Sequence, residues 1–160
     1  YRRSDYQAGN ENVRKVLPQL DQMLAELARE NYEWQFRTYE RYRILLTLYG
    51  PGGSYDPVDG TIILFTTSQG AFRQYESPVN TLIHEVVHLG IEASIVQKLQ
   101  VPHDLKERIV DTIVMRHFGE DLPDYRIQQM GDPSIDGRLA TKDSLHRLPR
   151  IVGAFLEPRS

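Results

Sequence analysis

Residues 81–90 read Thr-Leu-Ile-His-Glu-Val-Val-His-Leu-Gly, and no other stretch constrains the fold and chemistry of this chain so closely. Positions i and i+4 of an α-helix lie one turn apart on one face. On a helix, His84 and His88 can therefore close on a single metal ion at about 2.0–2.1 Å. Glu85, one step round from His84, can reach a water at that metal, which is the arrangement of the His-Glu-x-x-His zinc hydrolases. Leu82, Ile83, Val86, Val87 and Leu89 would bury the rest of the helix. Two histidines on an apolar helix can also be ordinary hydrogen-bonded core residues, but that use needs no acid beside them. Ser77-Pro78 supplies a favoured N-cap and first-turn proline, so the helix is expected from about 78 to 99, ended by Val101-Pro102.

The chain around this motif has 160 residues, enough for one domain over 1–160 with a usable core. It contains no cysteine, so thiolate zinc sites and disulfides are excluded and any zinc must be held by His and carboxylate. The net charge of -3 offers no basic footprint for nucleic acid. No apolar run is long enough to span a membrane. The compartment and the oligomeric state are left open. A chain that starts at Tyr1 rather than Met fits a removed leader or anchor, which favours secretion or the cell envelope.

Read in order, residues 1–10 are polar and expected to form a loose arm. Val13, Val16, Leu17, Leu20, Met23, Leu24 and Leu27 recur at helical spacing. Pro18 either kinks that helix or opens it near Leu17. Residues 31–40 are ambiguous: Trp34 and Phe36 alternate as in a strand, while Tyr32, Phe36 and Tyr39 also fit a helix. A buried strand is expected at 43–49, turns at 50–54 and 56–60, a strand at 61–67, a turn at 68–70 and a short strand at 71–75. The middle thus reads as a small, largely antiparallel sheet. A second helix is expected from about 103 to 117 with Ile109, Ile113 and Val114 inward, then a loop over 121–137. A last helix over 141–156 has Pro149 as a possible break. The fold class is α+β.

A catalytic zinc takes three protein ligands, and two histidines leave it one short. The candidates are Glu92, Glu107, Asp111, His103, His117 and His146. Glu92 continues the i, i+4, i+8 series, but it is about 12 Å from His84 along a straight helix axis and cannot share its ion. The next helix is the natural donor, and there Glu107 and Asp111 share a face. The pattern His84-Glu85-x-x-His88 followed by Glu107-Arg-Ile-Val-Asp111 resembles the gluzincin zinc peptidases, the thermolysin-like group, and the chain's size resembles the compact minigluzincins. The resemblance covers about residues 77–111. It implies a zincin-like fold, with the sheet packed on the motif helix and a following glutamate helix. It also implies Zn2+ as cofactor, Glu107 as third ligand and Asp111 as the carboxylate that orients His84. Direct ligation by Asp111, with Glu107 outside, is the alternative. A metzincin pattern fits less well: Gly90 comes too early and Ser94 stands where its third histidine would be.

The implied activity is hydrolysis of peptide bonds in a peptide or protein substrate, with Glu85 as general base. An edge strand before the motif helix, 71–75 or 61–67, would pair with an extended substrate. The oxyanion needs a further donor, which the family supplies from its C-terminal part; Tyr125 and His146 are the candidates here. A catalytically silent or autoinhibited zincin-like binding module with bound zinc is the alternative function. A purely structural metal is a third use. Glu85 argues against both, since neither needs a base beside the metal.

Overall fold

The computed structural model describes residues 2–157. It is an α+β fold with a three-stranded sheet and six α-helices among the described residues. Its contacts group into two compact units, one of residues up to 28 with 38–89, the other of 29–37 with the residues from 90 onward.

In the first unit, a 3-10 turn at Arg3–Tyr6 leads directly into α1, Gln7–Arg29. The expected loose arm is therefore ordered from residue 2; Tyr1 lies outside the described residues. Asn12 explains part of this, donating from Nδ2 to the Gly70 carbonyl at 3.0 Å. Helix α1 neither breaks nor begins at Pro18, which sits in its interior on the exposed side. Val13, Leu20, Met23 and Leu27 are buried on either side of it. At roughly 1.5–3 kcal/mol per buried side chain, that stripe outweighs the ~3 kcal/mol that an interior proline costs.

The sheet consists of β1 (Arg43–Thr47), β2 (Gly53–Asp56) and β3 (Thr61–Phe65), in the order β1-β3-β2. β1 pairs with β3 in parallel, with Ile44 opposite Ile62. β2 pairs with β3 antiparallel, with Tyr55 opposite Ile62. The sheet is thus mixed rather than largely antiparallel, because residues 48–52 return the chain to the far side of β3 instead of beside β1. Strand β1 is not the buried strand its composition suggests: Leu45 is 46% exposed, and its neighbour Ile63 is 37% exposed. Only the face carrying Ile62 and Leu64 enters the core. Residues 53 and 54, expected at the end of the first turn, instead open an edge strand over Gly53–Asp56, and residues 71–75 form no strand. Both sides of β3 are already paired, so a further strand has no ladder to join there. The turns at 56–60 and 68–70 are present, closed by Gly60 N–H to Asp56 O and Gly70 N–H to Thr67 O.

Helix α2, Pro78–Ile91, begins at the proline as expected. Leu82, Ile83, Val86, Val87, Leu89 and Ile91 have no exposed surface. At roughly 1.5–3 kcal/mol each, this burial offsets the cost of taking His84, Glu85 and His88 out of water.

In the second unit the same helix widens into a π-helical stretch, Glu92–Gln97. Within that stretch Gln97 Nε2 donates to Glu92 Oε1 at 3.2 Å. Gly90 is required by a close approach: a Cβ there would overlap the Phe36 ring. Residues 31–37 are neither helix nor strand. They are pinned by Trp34 Nε1–H to Leu145 O at 2.8 Å, Arg37 N–H to Gly90 O at 2.9 Å and Ser94 Oγ–H to Gln35 O at 2.7 Å. α3 spans His103–Phe118, with Ile109, Ile113 and Val114 buried. The segment after it carries one short helix, α4 (Ser134–Arg138). Arg108 ties that helix to α3, reaching both Asp136 oxygens at 2.8 and 2.7 Å and the Met130 carbonyl at 3.1 Å. The last helix is split into α5 (Lys142–His146) and α6 (Leu148–Leu156), with Pro149 in the first turn of α6.

Candidate metal centre

His84, Glu85 and His88 are buried on α2, with 8%, 5% and 2% exposure. The two imidazoles meet edge to face, ring centroids 4.7 Å apart, and their Nε2 atoms are 3.0 Å apart. Two nitrogens on a tetrahedral zinc are separated by about 3.3 Å, so one cation fits with little movement. Glu107, the expected third ligand, is carried by α3 in the second unit. The Glu107 side chain is 12% exposed and lies 3.7 Å from His103 Nδ1 and 3.8 Å from Lys106 Nζ. Two imidazoles at this separation match zinc's preference for nitrogen donors.

Strand β2 frames the two motif residues that face it. Tyr55 stacks on His88, with centroids 4.9 Å apart and planes inclined by 16°. Gly53 lets the strand backbone pass against Glu85: a Cβ at residue 53 would overlap Glu85 Oε1 and come within 2.6 Å of Thr81 Cγ2. Neither residue was singled out from the sequence. The signal was present, because a turn at 56–60 followed by a strand at 61–65 implies a paired strand just before it.

The remaining sequence candidates fall in different places. Asp111 is fully buried. The Tyr125 hydroxyl donates to its Oδ1 at 2.6 Å and the Gln128 N–H donates to its Oδ2 at 2.7 Å. Tyr125, expected as an oxyanion donor, thus spends its proton on Asp111. His146 donates from Nδ1 to the Asn31 carbonyl at 2.7 Å, and its Nε2 lies 3.6 Å from Glu30 Oε2. His117 lies apart from the motif, its Nδ1 3.6 Å from Glu30 Oε1. Glu92 is half-buried and holds Gln97. Neither strand expected to receive substrate has a free edge: 71–75 is not a strand and β3 is central, so the open edges belong to β1 and β2.

No protein family, no curated protein and no solved structure matches this chain. No helix among the described residues is long and apolar enough to cross a membrane.

Proposed function

We propose that the chain is a zinc-dependent metallopeptidase with a zincin-like fold of the gluzincin type, acting on peptide or protein substrates. One observation carries this reading: His84 and His88 bring their Nε2 atoms within 3.0 Å of one another on one buried helix, beside a buried Glu85. His84 and His88 would hold Zn2+, with Glu107 as the third ligand this reading assigns. A three-ligand site of this composition leaves a position open for chemistry. Bound there, zinc supplies Lewis acidity, acidifying a water and polarising a scissile carbonyl.

The chain's own residues do the rest. Glu85 accepts the water's proton and returns it to the leaving amine, so the base stays in place through both transfers. Gly53 leaves room for its carboxylate, and Tyr55 fixes the plane of the His88 ring. Asp111 takes the orienting role toward His84, its own carboxylate held by Tyr125 and Gln128. Strand β2 is paired on one side only. Its outer backbone would accept an extended substrate by strand addition, next to Glu85 and His88.

The experiment is a comparison of the zinc-loaded chain with Glu85→Gln on a library of unstructured fluorogenic peptides. Glu85→Gln is expected to keep the zinc at His84 and His88 while lowering cleavage by at least about a hundredfold. A zinc-loaded, unmutated chain that cleaves nothing in the library would sink the peptidase reading and favour a silent binding module.

A further inference from the structure

A cavity of about 430 Å³ lies between helix α1 and the segment that leads into β1. Every residue lining it belongs to the first unit. Its volume falls in the usual range of small-ligand pockets, about 300–1,000 Å³. Helix α1 gives the cavity one apolar face. Leu17, Leu20, Leu24 and Ala28 follow at steps of three and four residues, the spacing of neighbours on a helix surface. Ile44 of β1 extends the apolar lining from the other side. Leu17, Leu24 and Ile44 are only half-buried, so the chain leaves this apolar surface partly uncovered.

The polar part of the lining is of one sign. Asp21 and Glu40 are both exposed there, and no lysine, arginine or histidine lines the cavity. Neither carboxylate has an ion-pair partner among the described residues. Ala28 stands in the last turn of α1, where the helix dipole turns its negative end. Two aromatic rings complete the wall, Tyr39 and Tyr42, inclined by 64° with centroids 5.5 Å apart. Both are fixed before any ligand arrives. The Tyr39 hydroxyl donates to the Pro57 carbonyl at 2.7 Å, and its ring packs on Gly60, where a Cβ would meet it at 2.7 Å. The Tyr42 hydroxyl accepts from the Tyr39 N–H at 3.4 Å. Tyrosine rings attract a cation held within about 6 Å. Carboxylates, aromatic rings and a helix C-terminus thus all favour positive charge beside an apolar surface.

We propose that this cavity binds a small amphipathic organic cation, an ammonium group on a short apolar body. The body lies against Leu17, Leu20, Leu24 and Ile44, and the ammonium is drawn to Asp21 and Glu40 with the two tyrosine rings beside it. No residue is shared with the His84, Glu85 and His88 site, so this binding is separate from the proposed peptidase chemistry.

The test uses three probes of one shape and different charge: phenylbutylamine, phenylbutanol and phenylbutyrate. Each is titrated into the full chain and followed by calorimetry and by saturation-transfer NMR. The amine is expected to bind with a dissociation constant of about 1 mM or below. The alcohol is expected to bind about fivefold more weakly, and the carboxylate not detectably. The double variant Asp21→Asn/Glu40→Gln changes two exposed side chains and is expected to bring the amine down to the level of the alcohol. Ala25→Trp, at an exposed position of the lining, is expected to fill the cavity and abolish binding of both, with the helix content unchanged by circular dichroism. No amine binding at millimolar concentration, or equal binding of all three probes, overturns the proposal. Amine affinity unchanged in the charge variant, or in a folded Ala25→Trp chain, places the ligand elsewhere and overturns it as well. None of these readouts depends on peptide cleavage, so the site and the peptidase reading stand or fall separately.

Discussion

Gly53 and Glu85 are in contact across strand β2 and helix α2, so closely that residue 53 has no room for a Cβ beside the Glu85 carboxylate. This makes the backbone of an edge strand one wall of the seat of the proposed general base. Gly53 does not adopt a left-handed conformation, so its need for glycine is one of space and not of backbone freedom.

Gly53→Ala is therefore expected to displace Glu85 or the strand while leaving the two imidazoles able to bind. A misplacement near 1 Å lowers rates by about a hundredfold. The expected result is a peptidase rate reduced to that degree with zinc content at the motif unchanged. It is checked by kinetics beside metal analysis of the same sample. Unchanged kinetics would show that the carboxylate is not held by this wall.

Tyr125 and Asp111 give a prediction about stability. The Tyr125 hydroxyl donates to a carboxylate with no exposed surface, and Tyr125 itself is 4% exposed. Tyr125→Phe keeps the ring and removes only the donor, leaving Oδ1 short of one partner. A buried acceptor left in that state costs about 1–3 kcal/mol. Urea denaturation of the two proteins is expected to show a loss in that range with an unchanged m-value. A loss below about 0.5 kcal/mol would mean that another donor replaces the hydroxyl.

Pro18 points the other way. It stands in the interior of α1, exposed, and no residue there can supply the missing backbone N–H. Pro18→Ala restores that N–H, and a helix-interior proline costs ~3 kcal/mol relative to alanine. The unfolded chain gains freedom at the same time, worth up to ~1 kcal/mol in the opposite direction. A net gain of about 2 kcal/mol is expected, read as a higher denaturation midpoint. A decrease would show that the helix is bent at Pro18 in a way its packing requires.

The motif helix was legible in the sequence because every signal for it is local. Ser77-Pro78 starts it, the apolar periodicity buries it, and four-residue spacing puts His84 and His88 together. The helix that carries Glu107 and Asp111 was legible for the same reason. The π-helical stretch at Glu92–Gln97 was not, since periodicity alone does not reveal one widened turn. The sheet was misread at Gly53–Asp56 because two glycines look like a turn. Only the pairing of Tyr55 with Ile62 makes that stretch a strand. Tyr125 and His146 could be named as polar residues in the right region. Which atom each would meet depended on loops whose paths no short-range pattern encodes.

What the residues alone determined is the chemistry on offer: two imidazoles and an acid on one helical face, in a chain without thiols. Spacing along a helix is fixed by its pitch, so that much needs no knowledge of the rest of the fold. Tertiary structure decided the partners: Gly53 against Glu85, Tyr55 on His88, Tyr125 on Asp111, and Glu30 beside His117. These contacts join residues far apart in sequence, and closing such distances depends on the packing of the whole chain rather than on any segment's own preference.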